Sequence, residues 1–325
     1  MPVKDEAAAA KRAADRAERV AGGLAELTEW LRDQVRVGLA AASRNGPAAV
    51  AARMVDAQAK GVAGVLRAVP GIQASGDGWP APLLREYAML HLLARAHERM
   101  DTLPPGLAAT VRSRIGYTTS RQEVLSRPVV TDHWGVLGVR DLTDGEVPGR
   151  RIWVRGRDTG RPAMLLTFSS GPGGWQDPGT ARLRPGTEFH AGLHFYPGQP
   201  PMRALIGVRH GDPARAKPPG PGGGIDALLA GYAAGVERDP WLTVWPALLG
   251  GTPVPPAGTP VPPGGARDAW RFADRTGAAV PLLTHDSLWT LLAVSGGHPV
   301  TIAGEWHPEG LLPLTVWSDA EAVAL

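Results

Sequence analysis

Apolar positions in the first third of the chain recur every three or four residues, and after Pro128 they recur every second residue. In Gly23–Leu39, GLAELTEWLRDQVRVGL, the apolar Leu24, Leu27, Leu31, Val35 and Leu39 fall on one side. Glu26, Glu29, Arg32, Asp33 and Arg36 take the other sides, which is the pattern of an amphipathic helix. Gly22-Gly23 separates this helix from an Ala-rich lead, 1–22, read as a frayed helix of its own. Asn45-Gly46-Pro47 stops one helix and starts the next, about 47–69, because proline is tolerated in a first turn. Gly61 and Gly64 cost that helix propensity, so close backbone packing is the expected reason for both. A third helix is predicted from Pro80 to Met100, with Leu83, Tyr87, Leu90 and Ala94 on one stripe. A short fourth follows Pro104-Pro105 and ends at Gly116, a C-cap. Ser120-Arg121-Gln122-Glu123 is a capping box that opens one more turn.

Beyond Pro128 the runs WGVLGVRD, RRIWVRGR, AMLLTFSS, EFHAGLHFYP and MRALIGVRH are short, β-type and bounded by Gly, Pro and Asp. Asp158-Thr159-Gly160 marks a hairpin between two of them. Residues 211–224 read as a loop, and 225–249 as helical in two pieces, the second opened by Asp239-Pro240. Residues 250–268 form a Pro/Gly connector containing TPVPPAG and TPVPPGG, a local duplication. The functional alternative for that connector is a polyproline ligand for an SH3-like partner. Strand patterns return in AWRFADR, PVTIAGEW and LLPLTVWSD, with a helix near 286–295. The expected fold is α+β. A helical region, 23–126, packs on a mainly antiparallel β region, 127–325, barrel- or sandwich-like with two inserted helices. No long linker separates the two halves, and helix 80–100 is apolar on more than one side, so a shared core is expected.

Composition narrows the function by exclusion. Zero cysteines among 325 residues remove disulfides, thiolate zinc sites, iron–sulfur clusters and Cys nucleophiles together. A net charge of +3 is no polybasic chain, and arginine in large excess over lysine, with abundant Ala, Gly and Pro, points to a GC-rich genome. No apolar stretch approaches a membrane span, and the charged N-terminus is no signal peptide, so a cytoplasmic protein is expected. The modest basic excess lies before residue 127, where Arg32, Arg36, Arg53 and Arg112 are the candidate contacts to a partner or a nucleic acid.

Catalytic motifs are missing. His190 and His194 share a strand face and His210 lies on the next run, but no carboxylate motif accompanies them, so packing is favoured over zinc. His91 and His97 do not align on their helix. Asp132-His133 has no nucleophile elbow beside it, and Ala293 stands where Ser295 would need a glycine. No phosphate-cradling glycine motif occurs, and Gly171-Pro172-Gly173-Gly174 reads as a turn. The tryptophans fall mainly inside strand patterns, where core packing is the default and an exposed one would signal a contact surface.

Longer words carry a resemblance. GLAELTEWLRDQVRVGL, ARMVDAQAKGVAGVLR, ATVRSRIGY, RIWVRGRDTGRPAMLLTFS, FYPGQPPMRALI, DPWLTVWPALLGG and LLAVSGGHPVTIAGEW…LLPLTVW resemble the region after the finger in bacterial SWIM zinc-finger family proteins. The resemblance runs from about Ala7 to the C-terminus. The family's Cys-x-Cys…Cys-x-His finger has no counterpart here, so zinc ligation is carried onto no residue. This is compatible both with a truncation and with a finger-less member. The resemblance implies a non-catalytic region serving protein or nucleic-acid interaction, without a cofactor, beside MoxR-like ATPases or von Willebrand A-type proteins. An enzyme with an unrecognised site is the remaining alternative. The purified chain is expected to carry no stoichiometric transition metal. Elemental analysis finding about one zinc per chain, lost when His190 and His194 are replaced, would overturn that.

Overall fold

A computed structural model describes residues 2–39, 46–143, 147–171, 174–256, 270–283, 286–318 and 321–325. Most of the predicted Pro/Gly connector, including the second TPVPP repeat, lies outside the described residues, as do Pro172-Gly173 of the predicted turn. The chain divides into two compact units, residues 1–119 with 197–199, and residues 120–196 with 200–325.

Among the described residues, the helical unit has five α-helices: α1 (Pro2–Val37), α2 (Gly46–Asp56), α3 (Lys60–Gln73), α4 (Pro80–Glu98) and α5 (Pro105–Ile115). Its core holds Val20, Leu24, Leu27 and Leu31 of α1, Met54, Val62, Leu66, Leu83, Tyr87, Leu90 and Val111. The Ala-rich lead is no separate element, because α1 runs unbroken through Gly22-Gly23. Packing overrides propensity there: a Cβ on Gly23 would lie 2.5 Å from the Ala57 Cβ. The single helix expected over 47–69 is two helices, broken where Gln58 adopts φ 62°. Gly61 is needed, since a Cβ there would meet the Arg114 carbonyl oxygen at 2.1 Å. Gly64 faces nothing within 4 Å, so close packing does not explain it. Gly116 caps α5 at φ 115° and abuts the Gly61 nitrogen, so the C-terminal end of α5 meets the first turn of α3.

The second unit begins with α6 (Arg121–Leu125), whose Ser120 hydroxyl accepts the Glu123 amide at 3.1 Å. Its first six strands are β1 (Val129–Leu142), β2 (Gly149–Gly156), β3 (Pro162–Gly171), β4 (Gly174–Trp175), β5 (Thr187–Phe195) and β6 (Arg203–Arg215). Strand β6 therefore continues through residues expected in a loop, held by the pairing of Thr187 with Arg215. After α7 (Ile225–Arg238) come β7 (Trp245–Val254), β8 (Arg271–Asp274), β9 (Ala279–Pro281), α8 (Leu288–Ser295), β10 (Val300–His307), β11 (Gly310–Ser318) and β12 (Glu321–Ala324). The second helical piece expected after Asp239-Pro240 is strand β7. Its alternate residues Ala247, Leu249 and Gly251 are buried, and it pairs with both β10 and β8.

Strands β1, β2, β3, β6 and β5 close on one another. Every pairing among them is antiparallel except β3 with β6, which is parallel at Met164–Arg203 and Leu165–Ala204. Taken by rank along the chain, the order is 1-2-3-5-4 and back to 1, the connectivity of a five-stranded OB-type Greek-key barrel. Trp134, Ile152, Val154, Ala163, Leu165, Phe189 and Leu193 fill it.

The remaining strands repeat that order. β7 pairs with β8 and β10, β8 with β9, β10 with β11, and a parallel bridge joins Leu282 to Leu311. The closing pairs correspond: Leu165–Ala204 in the first barrel, Leu282–Leu311 in the second. So do the hairpins. Gly160 (φ 66°) follows Thr159, and Gly277 (φ 88°) follows Thr276. Each threonine anchors a carboxylate, Asp132 or Asp274. The β unit is therefore two barrels of one connectivity in succession, with Trp270, Phe272, Val280, Leu282, Ile302 and Leu311 in the second core.

Replacing Gly61 by Ala is expected to destabilise the helical unit by about 1–3 kcal/mol, because backbone and not a flexible side chain stands in the way. A thermal melt followed by circular dichroism checks this, with Gly64→Ala as the mild comparison.

Candidate functional site

The candidate contacts in the helical unit do not form one free basic stripe. Arg32 lies 2.6 Å from Glu29, Arg36 3.5 Å from Asp33, and Arg53 reaches across from α2 to Glu26 of α1 at 2.7 Å. All three pairs are exposed, where such contacts contribute about 0–1 kcal/mol, and each neutralises its arginine. Arg112 differs: its guanidinium lies 5.0 Å from the centre of the Tyr117 ring, and Arg16 lies 4.5 Å from the same ring. His97 sits close by on α4, its pKa held below the usual value by burial and by the charge of Arg112, against an opposing pull from Glu98.

On the first barrel, β1, β5 and β6 place His133, His190 and His210 side by side, because His133 pairs with His190 and His190 with His210. The ring centroids are 4.6 Å apart in both pairs, His133 stacked on His190 at 8° and His210 tilted to His190 at 36°. They lie over one another instead of converging, and among the described residues no group of three or more His, Asp or Glu is placed to hold a metal ion. His194 is apart from this ladder, its Nδ1 donating to the Arg127 carbonyl at 2.8 Å. Gly207 leaves room for that ring, since a Cβ there would lie 2.8 Å from it.

Asp132 and His133 are no dyad. The Asp132 carboxylate is buried and accepts from the backbone amides of His133, Asp158 and Thr159 and from the Thr159 hydroxyl. Burial pushes its pKa up, but those hydrogen bonds, led by Thr159, outweigh burial and hold it below the ordinary value. Its role is to fix the hairpin, as Asp274 does in the second barrel with Thr276 and the first amide of α7.

The strongest charged constellation was not legible in the sequence. Glu305 of β10 has no exposed surface, yet its carboxylate meets Arg140 at 2.6 Å, Arg151 at 2.9 Å and the Trp153 indole N–H at 2.9 Å, all from the first barrel. His307 lies 3.4 Å away. Burial acts to raise the Glu305 pKa. Contact with His307, the charge of Arg151, and hydrogen bonds from Trp153 and Arg140 overcome it, holding the carboxyl well below its usual range. Around this group Leu137, Trp153 and Met164 of the first barrel meet Ala303, Leu312 and Leu314 of the second. A Cβ on Gly138 would lie 2.9 Å from Leu314, so the bulge in β1 lets the barrels approach. The contact is made chiefly by β1 against β10 and β11, joined by Arg151 and Trp153 of β2 and Met164 of β3. It joins the two barrels.

One tryptophan is exposed. Trp289 on α8 is 68% exposed and rests edge-on against Trp270, with centroids 5.1 Å apart at 89°. A cleft elsewhere on the second barrel is lined by Pro218, Pro219, Pro221, Arg275, Pro299 and Trp317, without a catalytic constellation.

Residues 15–115 match the family model of the SWIM-associated four-helix bundle domain. The helical unit thus carries the bundle, consistent with a SWIM-family region C-terminal to the finger, as the resemblance implied. Neither curated proteins nor solved structures yield a match. Among the described residues no helix is long and apolar enough to cross a membrane.

Replacing Glu305 by Gln leaves Arg140 and Arg151 without their counter-charge and is expected to cost about 3–5 kcal/mol. The pH dependence has a definite sign. A carboxyl whose pKa is lower folded than unfolded stabilises the fold fully above its unfolded value, near 4.5. That contribution disappears as pH falls below it toward the folded value. Melts between pH 7 and pH 3 should show a steep loss in the parent chain and a shallower one in Glu305→Gln.

Proposed function

We propose that this chain is a non-enzymatic, cytoplasmic binding module of a bacterial SWIM-family protein, acting on a protein partner. The observation that carries the reading is Trp289. A tryptophan 68% exposed on a short helix, held upright by a second tryptophan, has the character of an interface anchor. Two arrangements weigh against the nucleic-acid alternative. The strand 2–3 face, which OB-type barrels use for oligonucleotides, is partly taken up in the first barrel, where Arg151 and Trp153 of β2 meet the second. Three of the four candidate arginines are paired with carboxylates of their own unit. The enzyme alternative draws no support from Asp132 or Glu305, whose carboxylates are taken up by structural hydrogen bonds. The resemblance points to a MoxR-like ATPase or a von Willebrand A-type protein as the partner.

The test is a pull-down from native cells with the tagged chain, followed by a binding titration with the purified partner. Trp289→Ala is expected to weaken that binding by about tenfold or more, as loss of an aromatic hot spot does. Arg32→Gln should leave it unchanged. Recovery of nucleic acid in place of a protein, insensitive to Trp289→Ala, would sink the reading.

A further inference from the structure

We propose that Arg16 and Arg112, stacked on Tyr117, form a clamp for a carboxylate presented by an acidic peptide segment, independent of Trp289. Two groups stand out among the arginines of the helical unit. Arg32, Arg36, Arg53 and Arg95 each face a carboxylate of the same unit. Arg16 and Arg112 have none within 4.0 Å among the described residues, yet both guanidiniums lie within 5.0 Å of one phenol ring. The ring positions two cations without neutralising either.

Arg16 is only partly satisfied. It donates from one terminal nitrogen to the Gly116 carbonyl at 3.1 Å, while its Nε is buried without an acceptor. A planar guanidinium fixed by stacking and by one carbonyl keeps further donors set for a planar, two-oxygen acceptor. The surrounding field has the same sign. Arg112 is one of the causes that depress the pKa of His97, so its charge is felt by its neighbour. The first turn of α3, with its positive dipole end, abuts Gly116, where the α5 terminus partly offsets it.

The geometry favours a local anion over a phosphate backbone. Tracking a nucleic acid takes a long row of free cations, and Arg32, Arg36 and Arg53, farther along α1 and on α2, are already paired. Two guanidiniums on one ring suit a single acidic side chain or a close pair.

Calorimetric titration of the full chain with a glutamate-rich octapeptide, inorganic phosphate and a single-stranded oligonucleotide separates the possibilities. The octapeptide is expected to bind in a salt-sensitive manner. Arg16→Gln and Arg112→Gln should each weaken it by about tenfold or more, while Arg32→Gln leaves it unchanged. Phosphate is expected to compete weakly. Should a Gln variant lose its cooperative melt, Arg16→Lys and Arg112→Lys carry the test. They keep the charge but lose the fork, and should weaken the peptide several-fold. Absence of peptide binding, peptide binding insensitive to both arginines, or tighter oligonucleotide binding that depends on them would each overturn the proposal. Trp289→Ala should not alter the octapeptide titration, which separates this clamp from the tryptophan surface.

Discussion

A carboxylate without solvent contact organises the β unit. Glu305 has lost its hydration and is tolerated only because two guanidiniums, an indole N–H and an imidazole surround it. Those groups belong to β1, β2 and β10, so the carboxylate can be satisfied only when both barrels are formed and correctly docked. Apolar packing between Leu137, Trp153, Ala303 and Leu314 supplies contact area, while the charged group supplies register. A slip of one residue in β10 would turn Glu305 toward the barrel core, where it has no partner.

The two barrels share connectivity but use their outer faces differently. In the second, the face of β7, β10 and β11 is buried by the first barrel. In the first, the corresponding strands β1, β5 and β6 carry the stacked imidazoles His133, His190 and His210. Their side-by-side placement follows from strand register and serves no convergent ligand geometry. The proposed contact surfaces lie elsewhere, on α8 and on the helical unit. This division suits the proposed binding role: the second barrel carries Trp289 on a short helix, and the bundle carries Arg16 and Arg112.

Much of the organisation was legible along the chain. The 3.6-residue period of Leu24, Leu27 and Leu31 predicts α1, and these residues are buried. Ser120 and Glu123 predict the cap on α6, and Gly116 the end of α5. Zero cysteines exclude the finger chemistry outright. A repeat was also present but faint. Trp153, Thr159-Gly160 and Leu165-Leu166 recur as Trp270, Thr276-Gly277 and Leu282-Leu283, around hairpins of different length. TPVPP, by contrast, is a repeat of loop composition only.

Local pattern fixes what local energetics decide: helix period, capping, turns and the chemistry that absent residue types forbid. It failed where partners distant in sequence outweigh propensity. Residues 245–249 read as helix, and 250–254 as connector, until β8 and β10 supply their hydrogen bonds. Gly22-Gly23 reads as a break until Ala57 shows why a glycine is wanted inside α1. Arg32 and Arg112 look alike along the chain, and only their neighbours separate a neutralised arginine from one stacked on a ring. Glu305 lies in an ordinary strand pattern, and its burial depends on Arg140 and Arg151, more than 150 residues away. Tertiary structure alone decided these points, because the energy of a buried charge is set by what surrounds it in space.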